Sequence, residues 1–296
     1  MNFDIGDGVD TAVNYVLDNF SPVLDFIAAV IGFVTSTILD ALAALPMPVG
    51  IAIFVLLSLW RVGFGFAVLT GLALWLVDHM GLWAAMMETL SLVIASTLMA
   101  MIIGLPLGIA MARKDSVATV VRPILDLMQT MPAFVYLIPA AMFFGLGAVP
   151  GAIATVIFSM PPVVRLTNLG IRQVHNEFIE AGNAFGCTGT QLLFKIQLPN
   201  ALPSIMAGIN QTIMLSLSMV VIASMIGAGG IGNTVLTGIQ RLDVGTGFEG
   251  GLAVVILAVI LDRITQSLGQ KTTKRTALWA TLFRKNEREE LATANA

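Results

Sequence analysis

The residues with the most specific spacing in this chain are Glu180, Ala181, Gly186, Ile196, Leu198 and Pro199. Their chemistry is docking and the transfer of force, because no nucleophile or general base stands beside them. The run from His175 to Phe185 alternates acids with the apolar Phe178, Ile179 and Phe185, and reads as a short helix with a sticky face. Gly186 then permits a chain reversal. Leu192, Leu193 and Ile196 form an apolar stripe on a second helix that Pro199 ends or kinks. Two amphipathic helices joined by a glycine turn make a surface built to hold something.

Catalytic constellations are missing elsewhere. Cys187 is the one cysteine, and His79 and His175 are far apart, so no disulfide, thiol–imidazole pair or His/Cys metal cluster is encoded. Cys187 reads as a small buried residue. No Gly-x-x-x-x-Gly-Lys-Ser/Thr phosphate loop occurs. The glycines of Gly227–Gly232 follow an apolar helix rather than a strand, which excludes a dinucleotide loop and suggests a flexible outer-mouth segment, part of a gate. Glu88 and Asp126 are the ionisable groups nearest the apolar segments. Helical spacing predicts an ion pair of Asp126 with Arg122 at the inner surface. Neither acid belongs to a deep carboxylate cluster of the kind that relays protons or sodium. No catalytic residue, cofactor or metal is expected.

The elements that must position the loop are membrane helices. The chain has 296 residues, 57% hydrophobic and 11% charged, against about 25% charged in a soluble domain. So little polar surface cannot cover a globule in water, and lipid is the solvent that remains. The net charge of −3, with no basic stripe, excludes nucleic acid as a partner. A helical span takes roughly 20 apolar residues, and seven candidates follow: Pro48–Leu59, Val62–Val77, Glu88–Ala112, Pro123–Gly145, Gly151–Val164, Ala201–Ile226 and Gly250–Leu261. Of the 15 Lys and Arg residues, all but Arg241 fall at one set of alternating ends. Those ends face the cytoplasm by the positive-inside rule, giving an outside N-terminus and an inside C-terminus.

Residues 1–45 are expected outside the membrane. No basic residue precedes Arg61, so the start does not read as a cleavable signal. Phe26–Leu45 is long and apolar enough to span, but a span would put the acidic N-terminus inside with no positive residue beside it, and Asp25 and Asp40, with Thr35, Ser36 and Thr37, fit better on an amphipathic helix at the outer surface. Residues 46–265 form the membrane domain, with the docking loop at 172–200. Residues 266–296 form a polar cytoplasmic tail.

The docking loop resembles the hallmark loop of permease subunits in binding-protein-dependent ABC importers: Glu-Ala-Ala, three residues, Gly, nine residues, Ile-x-Leu-Pro. Glu180, Ala181, Gly186, Ile196, Leu198 and Pro199 fall at that spacing. Gly182 departs from it, replacing the second alanine, and is expected to loosen the helix without changing its role, since glycine costs about 1 kcal/mol there. Longer runs are similar to the permeases for glycine betaine, proline betaine and choline: Gly104–Met111, Met131–Pro139, Ile209–Thr212 and Leu217–Gly227. The resemblance implies an all-α polytopic fold of the type I importer class and a coupling helix that docks into a separate ATPase subunit. It also implies an extracytoplasmic substrate-binding protein and a pair of permeases in the bacterial inner membrane. Phe185 is a candidate docking knob.

Polar or soft residues within spans are the candidates for the translocation path: Gln129, Thr130, Met131, Tyr136, Asn210, Gln211, Met214, Ser216, Ser218 and Met219. Polar groups at membrane depth face the protein interior or a cavity. The same residues also serve as helix–helix contacts, and sequence leaves both roles open. A secondary transporter and a passive scaffold or channel are the alternatives from other classes. The docking loop speaks against the first. Pro132 and Pro139, which break a span, speak against the second.

Overall fold

Apolar runs without a polar period become helices here because lipid offers no partner for a free N–H or carbonyl. The computed structural model describes residues 5–269, and among them every regular element is helical. The helices are α1 (Ile5–Ala43), α2 (Met47–Arg61), α3 (Phe64–His79), α4 (Trp83–Arg113), α5 (Asp115–Thr130), α6 (Ala133–Phe144), α7 (Ala148–Arg172), α8 (Asn176–Ala184), α9 (Gly189–Leu192), α10 (Leu198–Ala223), α11 (Ile231–Arg241) and α12 (Val244–Gly269). A π-helical turn, Leu193–Gln197, joins α9 to α10, and a 3-10 turn, Ser224–Ile226, follows α10.

Each of the seven expected spans falls on helix, but they are not equivalent. Five helical stretches are long and apolar enough to cross a membrane: Val13–Ala43, Trp83–Arg113, Ala148–Arg172, Gly189–Ile226 and Val244–Gly269. The expected span Pro123–Gly145 is two helices, α5 and α6, bent by 101°. Pro132 sets the break, since it sits at the N-cap of α6 with no N–H to continue α5. With that pair counted as one, the described residues hold up to six such spans. The helices α2 and α3 have 15 and 16 residues, about 22–24 Å at 1.5 Å per residue, short of a hydrocarbon core about 30 Å thick. The segment expected as a surface helix lies within α1, and Val13–Ala43 has the length and hydropathy of a span. Most of the 266–296 tail lies outside the described residues.

The bundle is organised around α7, which small residues allow two neighbours to approach. On α4, a β-carbon at Gly104 would stand 2.6 Å from Val163 Cγ1, and one at Gly108 would stand 2.7 Å from the Val164 carbonyl oxygen. Gly104 and Gly108 thus form a Gly-x-x-x-Gly contact pressed on α7, which places backbones close where no hydrophobic effect drives helices together. On the other flank, Gly208 of α10 lies over Val163 and Pro162, and Gly170 of α7 lies over Ser204 and Ala201. The buried side chains fall into two groups along this bundle. One, toward the start of α4, includes Leu74, Met86, Leu90, Leu217, Met219 and Leu257. The other, toward its end, includes Met111, Leu125, Val163, Ile171, Leu193 and Ile205. The second group receives the docking loop.

Candidate functional site

The loop between α7 and α10 is held by local bonds at each turn. The end of α8 is a Schellman motif, in which Cys187 N–H donates to Gly182 O and Gly186 N–H to Asn183 O, both at 3.0 Å. Gly186 takes the left-handed conformation this requires, with φ +75°. Cys187, expected to be buried, is only half-buried at this turn. The next helix opens with a capping box. Thr188 Oγ1 accepts from Gln191 N–H at 3.3 Å, and Gln191 Oε1 accepts from Thr188 N–H at 2.9 Å.

Packing then fixes the angle between the two short helices. Gly182 is buried, and a β-carbon there would stand 2.5 Å from Ile196 Cδ1 and 2.8 Å from Leu192 Cδ1. The glycine expected to loosen α8 instead brings it close to the following turn. Ile196 and Leu198 are half-buried, and Leu193 is buried in the second core group. The opposite face of α8 is open: Glu177, Glu180, Ala181 and Ala184 are exposed, Phe178 is 48% exposed and Phe185 is 89% exposed. Pro199 is exposed at the start of α10. The candidate docking residues therefore divide into a buried scaffold (Gly182, with Ile196 and Leu198 beside it) and an outward face (Glu180, Ala181, Phe185).

Arg172, at the end of α7, belongs to this site and is not marked by any motif. Its guanidinium donates to Met111 O at 2.7 Å and Asp115 Oδ1 at 2.6 Å, and its Nε to Asn168 Oδ1 at 2.9 Å. It ties the base of the loop to the junction of α4 and α5. A second ion pair corrects the sequence expectation: Asp126 pairs with Arg165 of α7, not with Arg122 on its own helix. The side chain of Asp126 points at the neighbouring helix, so the partner is set by packing rather than by spacing along α5.

The translocation candidates do not form one group. Tyr136 is 8% exposed, and its hydroxyl donates to Met128 O at 2.6 Å, bridging the α5–α6 break beside half-buried Met131. Asn210 Nδ2 donates to Asp262 Oδ1 at 3.1 Å, and Asn210 Oδ1 accepts from the Thr265 hydroxyl, linking α10 to α12. Ser216 and Met219 are buried, and Ser216 accepts from Thr97 at 3.3 Å. Gln211 and Ser218 are exposed and Met214 half-buried; their positions share one stripe of α10. Gln129 and Thr130 are exposed at the end of α5.

At the far end of the bundle the glycine segment is pinned rather than loose. Gly227, Gly229 and Gly230 have φ of +86°, +80° and +74°. Glu88 Oε2 accepts from Gly230 N–H and Thr89 Oγ1 from Ile231 N–H, both at 2.8 Å. Ser224 Oγ donates to Gly229 O at 2.9 Å, and Gly147 N–H donates to Ile226 O at 2.9 Å.

The model of the binding-protein-dependent transport system inner membrane component family matches residues 104–274, from the Gly104 contact on α4 through the docking loop to the end of α12. That is more than half of the chain. The chain belongs to this family.

As an inner membrane component it is a multi-pass protein of the bacterial inner membrane and a transport permease subunit. Similar curated proteins include the glycine betaine/proline betaine transport system permease protein ProW of Escherichia coli. It is 48% identical over 268 residues, which are 90% of this chain and 75% of ProW. The glycine betaine transport system permease protein OpuAB of Bacillus subtilis is 46% identical over 271 residues, covering 92% of this chain and 96% of OpuAB. Among solved structures, one titled as inward facing conformations of the MetNI methionine ABC transporter aligns with a TM-score of 0.55 at 23% identity. The alignment covers 64% of this chain and 92% of that one. At that identity the likeness shows a shared fold. The family's importers work with an ATPase and a substrate-binding protein.

Proposed function

We propose that this chain is the permease subunit of an importer that carries glycine betaine or a related quaternary amine into the cell, driven by a separate ATPase. The observation that carries the reading is the outward face of α8. Glu180, Ala181, Phe178 and Phe185 are displayed at a helix whose other side, through buried Gly182, packs on half-buried Leu192 and Ile196, which flank Leu193 of the second core group. An exposed aromatic on a rigid base is what a docking knob requires. A push on α8 is passed toward α10 through the packing of Gly182 on Leu192 and Ile196, residues of α9 and of the π-turn that leads into α10.

The substrate class follows from relatives whose names specify glycine betaine and proline betaine, and from the chemistry of the cargo. A quaternary ammonium has no N–H to donate, so aromatic faces and soft groups suit it better than a hydrogen-bonding pocket. Selectivity then rests with the extracytoplasmic binding protein, and the permease supplies a permissive path. The α10 stripe with Gln211, Met214 and Ser218 supports a path formed between two copies of the chain, since these positions are open in one copy alone. Pairing of identical subunits about a two-fold axis is the common arrangement. Leu56, Trp60, Phe64, Leu72 and Trp75 on α2 and α3 are exposed large apolar residues suited to lipid.

The test is uptake of labelled glycine betaine and choline into vesicles holding the permease, its ATPase and its binding protein, with and without internal ATP. ATP-dependent accumulation, lost in Glu180→Lys together with co-purification of the ATPase, is the expected result. Uptake that ignores ATP and follows an ion gradient overturns the reading in favour of a secondary transporter.

A further inference from the structure

The geometry points to Glu88 and Thr89 as the latch of the outer gate, holding α11 against α4 until transport requires their separation. The inference rests on the reading above that the chain alternates between outward- and inward-open states. Its evidence is separate, because it lies at the end of the bundle opposite the coupling loop.

The α10–α11 junction is the most irregular backbone in the described bundle. After the 3-10 turn come three left-handed glycines, Gly227, Gly229 and Gly230. Ser224 braces the junction from within, its hydroxyl on Gly229 O and its carbonyl taking the N–H of Gly227, but the N–H groups of Gly230 and Ile231 find their acceptors only on a neighbouring helix. Here α4 supplies two in adjacent positions: the Glu88 carboxylate takes the N–H of Gly230, and the buried Thr89 hydroxyl takes the N–H of Ile231. These are the N–H groups of the N-cap and of the first residue of α11, which no in-helix carbonyl satisfies, and a carboxylate is favoured at that positive end of the helix. The fit is close. A β-carbon at Gly230 would collide with Thr89 Oγ1, and one at Gly229 would stand 3.0 Å from Glu88 Oε2.

Two features make this a latch rather than an ordinary cap. The donors and acceptors belong to helices 142 residues apart in sequence, so the bonds report the distance between α4 and α11. Glu88 is also exposed, so water can replace it when the contact opens, and breaking the bond leaves no buried charge. The positions act on transport by positioning α11 and touch no cargo.

The experiment uses the assembled importer in lipid nanodiscs. The permease carries Cys187→Ser, with spin labels at Ala84→Cys and Gln240→Cys, both exposed positions on α4 and α11. Distances between the labels are measured with and without ATP and binding protein, beside uptake and ATP hydrolysis. Glu88→Ala is expected to enrich the separated conformer on the order of tenfold in the resting importer, the effect of removing one charge-assisted hydrogen bond. ATP hydrolysis without binding protein should rise with it. Thr89→Val, which keeps the side-chain volume, should act in the same direction, and Glu88→Gln, which keeps an acceptor, should restore most of the wild-type distribution. A purely structural role would lower the melting temperature and leave the distances of the folded fraction unchanged. Wild-type distances and hydrolysis in both Glu88→Ala and Thr89→Val overturn the latch. Absence of ATP-driven uptake in the unmutated importer counts against the transport reading instead, and the label distances still decide the latch.

Discussion

Arg172, the last residue of α7, donates a hydrogen bond to the backbone carbonyl oxygen of Met111 on α4 at 2.7 Å. That oxygen lies in the last turn of α4, where carbonyls lose their in-helix partners. Arg172 therefore closes the end of one helix with the end of another, directly beneath the coupling loop. Its ion pair with Asp115 adds less, because the Asp115 side chain is 88% exposed and screened by water. Arg172→Ala is expected to cost about 1–2 kcal/mol and to reduce ATP-driven uptake. Asp115→Asn is expected to cost less than about 1 kcal/mol and leave uptake near normal. Thermal unfolding in detergent beside vesicle uptake distinguishes the two variants.

Gly186 and Gly182, in the loop between α7 and α10, should respond differently to substitution. Gly186 has open space around its would-be β-carbon, so a substitution there is penalised by its left-handed backbone alone. Gly186→Ala should cost about 1–2 kcal/mol, and the β-branched Gly186→Val more, with loss of coupling while the protein still reaches the membrane. Gly182→Ala displaces only the mobile methyl ends of Ile196 and Leu192 and regains about 1 kcal/mol of helix propensity. It should be close to neutral. Co-purification of the ATPase and uptake are the measurements, and normal transport by Gly186→Val would count against the role given to that turn.

Phe185 offers a clean separation of stability from partner binding. At 89% exposed it contributes little burial to the isolated chain, so Phe185→Ala should leave the melting temperature of the permease alone unchanged. A central aromatic knob is commonly worth about 2 kcal/mol or more to a complex. Affinity for the detergent-solubilised ATPase should fall by at least roughly tenfold. Unchanged affinity would remove Phe185 from the interface.

At the opposite tip, Asp243 caps the start of α12. Its carboxylate accepts from the Thr246 hydroxyl at 2.7 Å and the Thr246 N–H at 3.2 Å. Those bonds, the hydroxyl first, hold its carboxyl below the usual carboxylate range. A group depressed in the folded state contributes stability above its unfolded value, near 4, and loses it as pH falls through the lower folded value. Protection of the Thr246 amide against hydrogen exchange should therefore persist at neutral pH and fade only below about pH 4. In Asp243→Ala it should be low throughout.

Much of this architecture was legible in the residues. Helical spans follow from apolar run length, and the two short helices of the α7–α10 loop, with the turn at Gly186, follow from the residue pattern around them, both local properties. What sequence missed depends on neighbours. Nothing in the run around Arg172 announces that Met111 lies within reach. Asp126 finds Arg165 because α5 crosses α7, although Arg122 offers the better spacing on paper. Polarity marks Tyr136 and Asn210 as candidates for the path or for helix contacts, and only the fold shows that they bond to Met128 and to Asp262 and Thr265. The propensity cost of Gly182 is legible in sequence, but its fit beneath Ile196 is visible only in three dimensions. The break in the fourth expected span was foreshadowed by Pro132, but its angle was not.

The glycine contacts of α7 bear on how a stroke crosses the membrane. With Gly104 and Gly108 pressed on one side and Gly208 on the other, α4, α7 and α10 have almost no room to slide or bend against each other, since close-packed interiors transmit strain rather than absorb it. They form a stiff lever. On the function proposed above, a displacement passed from the loop to α10 would cross this bundle with little loss, and compliance would be left to the lever's margins, at the α5–α6 break and the glycine junction before α11. Enlarging any one of those three glycines would act on the gearing of the machine, so that ATP is spent while the distant end moves less.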